Sequence, residues 1–307
     1  MIGSEIATEK RFQKLQHRME VLKHMPVFSR RGYDDNVKNP SIEKKRLFLL
    51  DMDGTIYLDE TLFDGTVDFL TQVRKMGGKY LFLTNNSSRS VEAYVEKMAR
   101  LGITAVQDDF LTSVDALIVY LDAHGYRNKL LYAFGTASFR AQLSQAGFRV
   151  TDIRSEGVDA LVCGFDTELT FQKLEDACIL LNRGVDFIAA NPDWVCPTWY
   201  GYVPDCGSVC QMLTRATGRQ PVFIGKPQPE MALLAMEKYG YSKEETLLVG
   251  DRVYTDIACG RRAGIDAALV LSGESTLKDV EENPEKPTHI YENIRALYHD
   301  LTGEKQP

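Results

Sequence analysis

The stretch from residue 47 to residue 57 reads LFLLDMDGTIY, and the fold that we expect for this chain is built around it. Its apolar run ends abruptly in two carboxylates and a glycine, which is typical of a buried parallel strand whose carboxyl end opens into a loop. Open α/β sheets bind ligands at that edge. Because side chains two residues apart in a strand project to the same side, Asp51 and Asp53 should share one cavity and Met52 should point away. The competing interpretation is a simple turn, since Asp and Gly both favour turns.

From residue 46 onward, short apolar runs alternate with longer amphipathic ones, which indicates a parallel sheet with crossover helices. The expected fold class is therefore α/β, with a doubly wound parallel sheet. Four of the predicted strands end in polar residues that should meet at one edge, in chain order Asp51 with Asp53, Thr84 with Asn85 and Asn86, Lys226, and Asp251 with Asp256. Some of these residues also have ordinary explanations, because Thr84 and the asparagines could cap the next helix and a lone lysine is usually a surface charge. A helix amino terminus behind a hydroxyl and two amides is also an anion site.

A second set of α/β units between about residues 125 and 204 is interpreted as a smaller inserted domain. The predicted helix at 208–216 and the predicted strand at 221–224 are assigned back to the first sheet. The core domain would then comprise residues 46–124 and 205–307.

Residues 191–204 show no regular periodicity and hold both tryptophans of the chain, Trp194 and Trp199. This aromatic loop joins the inserted domain to the core, so it should lie at the junction where pockets are common. It would either contact a substrate or pack the interface between the domains.

Residues 1–45 differ in pattern from the rest of the chain and form an N-terminal extension. Apolar residues at steps of three and four predict one amphipathic helix, with the stripe Phe12, Leu15, Met19 and Leu22. A linker at 29–36 follows it. One interpretation is a helix that docks a partner or mediates oligomerisation. The other is a helix that packs on its own domain or belongs to a partly disordered leader.

The composition is that of an ordinary globular chain of 307 residues, 44% hydrophobic and 26% charged, with a net charge of −7. We expect binding to neither nucleic acid nor membrane, because the charge is acidic and no apolar run approaches the ~20 residues that span a bilayer. Residues 1–10 lack the apolar core of a secretory signal, which favours a cytoplasmic location. The six cysteines show no paired metal-site spacing and should be buried thiols. No histidine adjoins a serine or cysteine in the context of a hydrolase triad.

The ordered strand-end motifs resemble those of the haloacid dehalogenase superfamily of phosphotransferases. The resemblance extends over about residues 46 to 300 and rests on DMDGT at 51–55, Thr84, Lys226, and Gly250-Asp251 with Asp256. Finer detail resembles the NagD-like or p-nitrophenyl phosphatase-like subgroup, through LTNNS at 83–87, ANPD at 190–193, IGKPQP at 224–229 and LVLSGE at 269–274. Members of that subgroup carry an α/β cap domain between the second and third motifs. The predicted insertion at 125–204 occupies that place.

This resemblance implies a phosphatase that hydrolyses small phosphate monoesters through an aspartyl-phosphate intermediate, with Mg²⁺ as cofactor. Asp51 would be the nucleophile, and Asp53 would donate and then accept a proton. The implied metal ligands are Asp51, the backbone carbonyl of Asp53, and Asp251. The implied phosphate- and substrate-binding residues are Met52, Gly54, Thr84, Asn85, Asn86 and Lys226. Asp256 would orient Lys226 or a metal-bound water.

Several functional alternatives stay open at this point. The scaffold could serve as a non-catalytic module that binds phosphometabolites, or as a phosphotransferase whose acceptor is not water. A dinucleotide-binding oxidoreductase would share the fold class, although no GxGxxG follows the first strand. Candidate substrates are sugar phosphates, nucleoside monophosphates, phosphoglycolate and pyridoxal phosphate. A homo-oligomer formed through the cap domain is also left open.

Overall fold

The computed structural model describes residues 42–198 and 201–303. Within them the strands are, in chain order, β1 (Leu47–Leu50), β2 (Tyr57–Leu58), β3 (Thr61–Leu62), β4 (Lys79–Thr84), β5 (Phe110–Thr112), β6 (Leu130–Phe134), β7 (Arg149–Thr151), β8 (Ala160–Cys163), β9 (Asp186–Ala189), β10 (Val195–Thr198), β11 (Gly201–Pro204), β12 (Val222–Phe223), β13 (Thr246–Gly250), β14 (Asp266–Val270) and β15 (His289–Tyr291). The α-helices are α1 (Thr66–Lys75), α2 (Val91–Arg100), α3 (Ser113–Ala123), α4 (Ala137–Gln145), α5 (Phe171–Asn182), α6 (Cys206–Thr217), α7 (Glu230–Tyr239), α8 (Ala258–Ala263), α9 (Leu277–Glu282) and α10 (Ile294–Thr302). A π-helical turn, Val253–Ile257, precedes α8. The amphipathic helix predicted in the N-terminal extension lies outside the described residues.

The first sheet has six parallel strands in the order β15-β14-β13-β1-β4-β5, and β1 lies inside it. Leu50, the last residue of β1, pairs with Val249 on one side and with Phe82 on the other. All of β1 is buried, and its successive residues point into two different apolar clusters, one on each face. The predicted α/β fold with a doubly wound parallel core is therefore confirmed.

The connection order of this sheet marks where a ligand should bind. From β1 the chain continues outward through β4 and β5, whereas β13, β14 and β15 lie on the other side. The direction of winding therefore reverses between β1 and β13. In open α/β sheets, ligands bind beyond the carboxyl ends of the strands at such a reversal.

The second sheet has five parallel strands in the order β12-β9-β8-β6-β7. Our assignment of the strand at 221–224 to the first sheet was wrong, because β12 pairs with β9 and places Val222 beside Ile188. The helix before it was also misassigned, since Val209 and Leu213 of α6 pack in the apolar cluster of the second sheet. Periodicity identifies a strand but does not say which sheet it joins. We therefore propose that the inserted unit ends near residue 224 rather than at residue 204.

The aromatic loop expected at 191–204 is more regular than its sequence suggested. Strands β10 and β11 pair as an antiparallel hairpin, with Val195 opposite Pro204. Two-stranded ribbons tolerate proline because their outer edges need no hydrogen-bond donor. Trp194 is 53% exposed, so about half of its surface is left uncovered by the described residues. Trp199 lies outside them.

Four of the six cysteines are buried, which confirms that expectation for Cys163, Cys206, Cys210 and Cys259 and leaves the other two partly exposed. No helix within residues 42–198 and 201–303 combines the length and hydropathy needed to cross a bilayer.

Candidate active site

Lys226 brings two of the predicted carboxylates together at the edge of the first sheet. Its Nζ donates to Asp51 Oδ1 at 2.5 Å and to Asp256 Oδ1 at 2.7 Å, and the lysine side chain is only 3% exposed. Burial lowers the pKa of Lys226, but the charges of Asp256 and Asp51 outweigh it and hold the pKa above its ordinary value. Lys226 is therefore a fixed positive charge beside Asp51.

Asp251 follows β13 and carries an unsatisfied oxygen at the same edge. Its Oδ2 accepts a hydrogen bond from the backbone N of Glu274 at 2.6 Å. Its Oδ1 is buried and has no hydrogen-bond partner among the described residues. Burial raises the pKa of Asp251, and the negative charges of Asp51 and Asp256 raise it further. A buried, unpartnered carboxylate oxygen is costly unless a ligand completes its coordination.

Two glycines make room for the Asp251 carboxylate. A Cβ atom on Gly54 would lie 2.4 Å from Asp251 Oδ2, and one on Gly273 would lie 1.8 Å from the same oxygen. Gly54 also has φ of +92°, a left-handed conformation that favours glycine. The glycine of the DMDGT motif is therefore required both by its backbone conformation and by the close approach of the Asp251 carboxylate. Only the backbone of Gly54 is available for substrate binding.

The acidic residues at this edge fit a hard divalent cation. Asp51, Asp251 and Asp256 each offer a carboxylate oxygen, and the three oxygens lie within 4.8 Å of one another. Burial raises the pKa of Asp51 to about 7, although Lys226 opposes this shift. Both oxygens of Asp256 already accept hydrogen bonds, Oδ1 from Lys226 Nζ and Oδ2 from the backbone N of Arg252, so the unsatisfied Oδ1 of Asp251 and the second oxygen of Asp51 are the available ligands. Oxygen ligands of this kind suit Mg²⁺.

Asp53 lines the same cleft and is more accessible, with 41% of its side chain exposed. The Tyr57 hydroxyl donates to Asp53 Oδ2 at 3.4 Å, and Lys97 Nζ lies 3.8 Å from Asp53 Oδ1. Partial burial raises the pKa of Asp53, and Lys97 and Tyr57 oppose that shift. A cleft-facing carboxyl with a raised pKa is suited to exchange protons with a bound ester.

The polar residues after β4 line the cleft, but their side chains have different partners. Thr84 Oγ1 accepts a hydrogen bond from the backbone N of Asn86 at 3.1 Å. The Asn85 amide donates to the Lys226 carbonyl at 2.8 Å and accepts from the Lys226 backbone N at 2.9 Å. Asn85 therefore holds the Lys226 loop instead of pointing a free amide at a substrate. The Met52 side chain is buried in the core, so only its backbone can face the site.

The inserted unit supplies the other wall of the cleft, where the sequence placed the loop at 191–204 but singled out its tryptophans and none of its carboxylates. The lining residues from this wall are Asp193, Val195, Cys196, Pro197 and Asp205. Asn191 holds the two carboxylates, donating to Asp193 Oδ2 at 2.8 Å and to Asp205 Oδ1 at 3.1 Å. The ANPD motif contained a signal for Asp193, whereas nothing in the sequence separated Asp205 from an ordinary helix cap.

Buried polar contacts join the core to the inserted unit beside the cleft. Ser87 Oγ accepts from the backbone N of Phe165 at 2.7 Å and donates to Asn191 Oδ1 at 3.2 Å. Arg252, next to Asp251, reaches across to Asp193 with a closest separation of 3.5 Å. The loops that follow β4 and β13 therefore contact the inserted unit directly beside the cleft.

Comparison with known proteins agrees with this architecture. The family model of haloacid dehalogenase-like hydrolases matches residues 48–149, and a HAD-hydrolase-like model matches residues 223–297. An acid sugar phosphatase of Staphylococcus aureus is 32% identical over 260 residues, which cover 85% of this chain and 99% of that protein.

Solved structures show the same relationship. A 4-nitrophenylphosphatase from Thermotoga maritima superposes with a TM-score of 0.80 at 37% identity, covering 85% of this chain and 99% of that one. A glycerol phosphate phosphatase from Mycobacterium tuberculosis, in complex with magnesium, gives a TM-score of 0.79 at 30% identity, with coverages of 85% and 79%.

The chain therefore belongs to the haloacid dehalogenase-like hydrolases, as its four ordered motifs predicted. Within that family it falls among the NagD-like and 4-nitrophenylphosphatase-like proteins, and it is a phosphatase. The alternatives of a non-catalytic binding module and a dinucleotide-binding oxidoreductase are thereby set aside.

Proposed function

We propose that this phosphatase hydrolyses small phosphate monoesters with Mg²⁺ and forms a covalent aspartyl-phosphate on Asp51. The observation that carries the proposal is the arrangement at the end of β1. The Asp51 carboxylate lies beside the fixed ammonium of Lys226, close to the unsatisfied Oδ1 of Asp251. A nucleophile, a positive charge and an unsatisfied carboxylate oxygen thus lie together at the sheet edge where this fold binds ligands.

Asp51 would attack the phosphorus atom, because it faces the cleft and its side chain is still 16% exposed. Lys226 and Thr84 would hold the phosphoryl oxygens on which negative charge spreads during transfer. Asp256 would act on Lys226, since their 2.7 Å ion pair fixes the ammonium. The backbone groups of Met52 and Gly54 and the Asn86 region would contribute further phosphate contacts.

Asp51, Asp251 and the Asp53 backbone carbonyl would hold the magnesium ion. When bound, the ion would supply the positive charge that offsets repulsion between an anionic nucleophile and an anionic ester. Support comes from the oxygen-only donor set, from the unsatisfied Asp251 Oδ1, and from the relative whose structure was determined in complex with magnesium.

Asp53 would protonate the leaving oxygen in the first step and take a proton from water in the second. Its position in the cleft, two residues beyond Asp51, supports this role. The first of these two roles, protonation of the leaving oxygen, would be needed least when the leaving group is already a stable anion, as nitrophenolate is.

The cleft wall that the inserted unit supplies fits leaving groups with hydroxyls best. Sugar and polyol phosphates are therefore the first candidate substrates. That wall carries two carboxylates, Asp193 and Asp205, and Arg252 already pairs with Asp193 and Glu274. Carboxylates accept hydrogen bonds from hydroxyl groups and repel an anionic leaving group such as that of phosphoglycolate. The names of the acid sugar phosphatase and glycerol phosphate phosphatase relatives point the same way. Nucleoside monophosphates and pyridoxal phosphate are lower candidates.

The test is hydrolysis of p-nitrophenyl phosphate and of a panel of metabolite phosphates with Mg²⁺, and again after EDTA. Asp51→Asn removes the nucleophile, so turnover should fall by up to the ~10⁶-fold seen when other covalent enzymes lose theirs. Acid-quenched wild-type protein should carry a phosphoryl group that Asp51→Asn lacks, as measured by intact mass. Asp108→Asn, an exposed aspartate paired only with surface groups, is the matched control and should keep full activity. Undiminished turnover in Asp51→Asn would refute the mechanism.

A further inference from the structure

Lys97 is a buried lysine that none of the roles above uses. It lies on α2, where a lysine in the sequence reads as part of the solvated face, yet only 7% of the residue is exposed. Burial of an ammonium is costly unless nearby groups compensate it. The buried Lys97 ammonium therefore needs compensating groups close to it.

Two side chains of the DMDGT segment and the turn after it compensate Lys97. Its Nζ lies 3.7 Å from the centroid of the Tyr57 ring, which is the geometry of a cation–π contact. The same atom lies 3.8 Å from Asp53 Oδ1, while the Tyr57 hydroxyl donates to the other oxygen, Oδ2, at 3.4 Å. Each oxygen of the Asp53 carboxylate thus has its own neighbour. The farther charges around Lys97, Glu60, Asp59 and Arg89, are of mixed sign.

We propose that Lys97 is a positioning residue for Asp53, holding its carboxyl group in the orientation needed for proton transfer to and from the substrate. The inference rests on the proposed function, because it assumes that Asp53 is the proton donor. Tyr57 takes part as the surface on which the ammonium rests and as the partner of the second carboxylate oxygen.

Lys97 would act on the first chemical step, the transfer of the phosphoryl group to Asp51. An Asp51 oxygen forms a bond to phosphorus while the ester P–O bond breaks, and its electron pair goes to the leaving oxygen. The Asp53 carboxyl proton moves to that oxygen, which leaves as an alcohol. Asp53 is then a carboxylate, and its Oδ1 faces the Lys97 ammonium. An accessible carboxyl on a loop would otherwise rotate, and small misplacement of a reacting group costs rate steeply.

The test is a double-mutant cycle with two substrates. Lys97→Met keeps the volume of the side chain and removes its charge. On glycerol phosphate, whose alcohol leaving group needs a proton, kcat/KM should fall about tenfold or more, a part of the ~10²–10⁴ that general acid catalysis contributes. On p-nitrophenyl phosphate the loss should stay under about threefold. In an Asp53→Asn background, Lys97→Met should cost nothing further, because the group through which it acts is already inactive.

Two further variants keep the inference testable if Lys97→Met folds poorly. Lys97→Arg retains the charge and should keep the activity ratio between the two esters near that of the wild type, whatever its effect on thermal stability. Lys75→Gln removes an exposed lysine from α1 and should change neither ester.

Specific results would overturn the proposal. Equal losses on both esters, additivity of Lys97→Met with Asp53→Asn, or a Lys97→Arg protein that loses the alcohol ester as Lys97→Met does would each mean that Lys97 only packs. Wild-type activity and its loss in Asp51→Asn are measured in the same series. Failure of those two controls would instead count against the proposed function itself.

Discussion

Asn85 should be essential to the site through its contacts with the Lys226 backbone, although the two residues lie 141 positions apart in sequence. Its amide donates to the Lys226 carbonyl at 2.8 Å and accepts from the Lys226 N at 2.9 Å, in a pocket where Asn85 is 7% and Lys226 2% exposed. A Cβ on Gly225 would lie only 2.6 Å from Asn85 Oδ1, so the loop passes directly against the amide. Asn85 thus fixes the position of the Lys226 backbone in the loop after β12.

The cost of Asn85→Ala can be estimated from these two bonds. Each lost hydrogen bond is worth about 1 kcal/mol, and a buried N–H or C=O left without a partner costs about 1–3 kcal/mol. Partial rescue by entering water would lower the sum, so we expect a loss of about 2–4 kcal/mol in the free energy of unfolding. For a chain of this size that is a fall in melting temperature of roughly 3–6 °C. If Lys226 also shifts by about 1 Å, kcat/KM should fall by about 10².

Urea unfolding and steady-state hydrolysis of p-nitrophenyl phosphate measure the two effects separately. Asn283→Ala is the matched control, because Asn283 accepts one backbone hydrogen bond in a partly exposed turn and should lose less than about 1 kcal/mol. Asn85→Asp keeps the acceptor for the Lys226 N but sets a carboxylate oxygen against the Lys226 carbonyl, so it should be no better than Asn85→Ala. An Asn85→Ala protein with wild-type stability and wild-type kcat/KM would refute the reasoning.

Two further substitutions test the DMDGT segment. Gly54→Ala should lose stability through backbone strain of about 1–3 kcal/mol and should also weaken Mg²⁺ binding by pushing Asp251 aside. Gly102 has a similar φ of +82°, and apart from its chain neighbours no described residue lies within 4 Å of a Cβ added there. Urea unfolding and Mg²⁺ titration of Gly102→Ala therefore measure the backbone strain alone, and equal results for Gly54→Ala and Gly102→Ala would contradict the clash with Asp251. Asp53→Asn should reduce hydrolysis of alkyl esters by ~10²–10⁴ while Mg²⁺ affinity, measured by calorimetry, stays within about threefold, because the backbone carbonyl remains. Proportional loss of activity and Mg²⁺ binding would show that the Asp53 side chain is a metal ligand instead.

The core sheet could be predicted because its strands are short, apolar and buried on both faces. β1, β4 and β13 each end at the polar residues where periodicity placed the boundary. Parallel strands put their carboxyl ends at one edge, so the meeting of Asp51 and Asp256 followed from strand order, whereas Lys226 reaches this edge from the loop after β12 of the second sheet. For the same reason, the residues that follow β1, β4 and β13 could be assigned to one site without knowledge of any contact.

The contacts that position the site could not be predicted, because they depend on side-chain direction across different elements. Lys97 looks like any charged residue of an amphipathic helix, and its burial against Tyr57 depends on how α2 packs. Asn85 was expected to face a phosphate, yet its amide is used by Lys226. β12 was assigned to the wrong sheet because two apolar residues suit either edge equally. The hairpin β10–β11 was missed because its prolines suppress the alternation that identifies strands.

The balance of charge at the strand edge predicts that the four motifs should act as a set. Three carboxylate oxygens lie within 4.8 Å, and the Lys226 ammonium contacts two of those carboxylates. A phosphate ester adds further negative charge, and each like-charge pair at about 4 Å costs about 4 kcal/mol near a protein surface. A cation bound at the unsatisfied oxygen of Asp251 would turn this net repulsion into net attraction, provided that Lys226 stays in place. Lys226 stays because Asn85 holds its backbone, while Asp256 and the Leu83 carbonyl hold its ammonium. Asn85 of the second motif and Asp256 of the fourth therefore hold Lys226 of the third. A substitution at either position should disturb the surroundings of Asp51 by displacing Lys226.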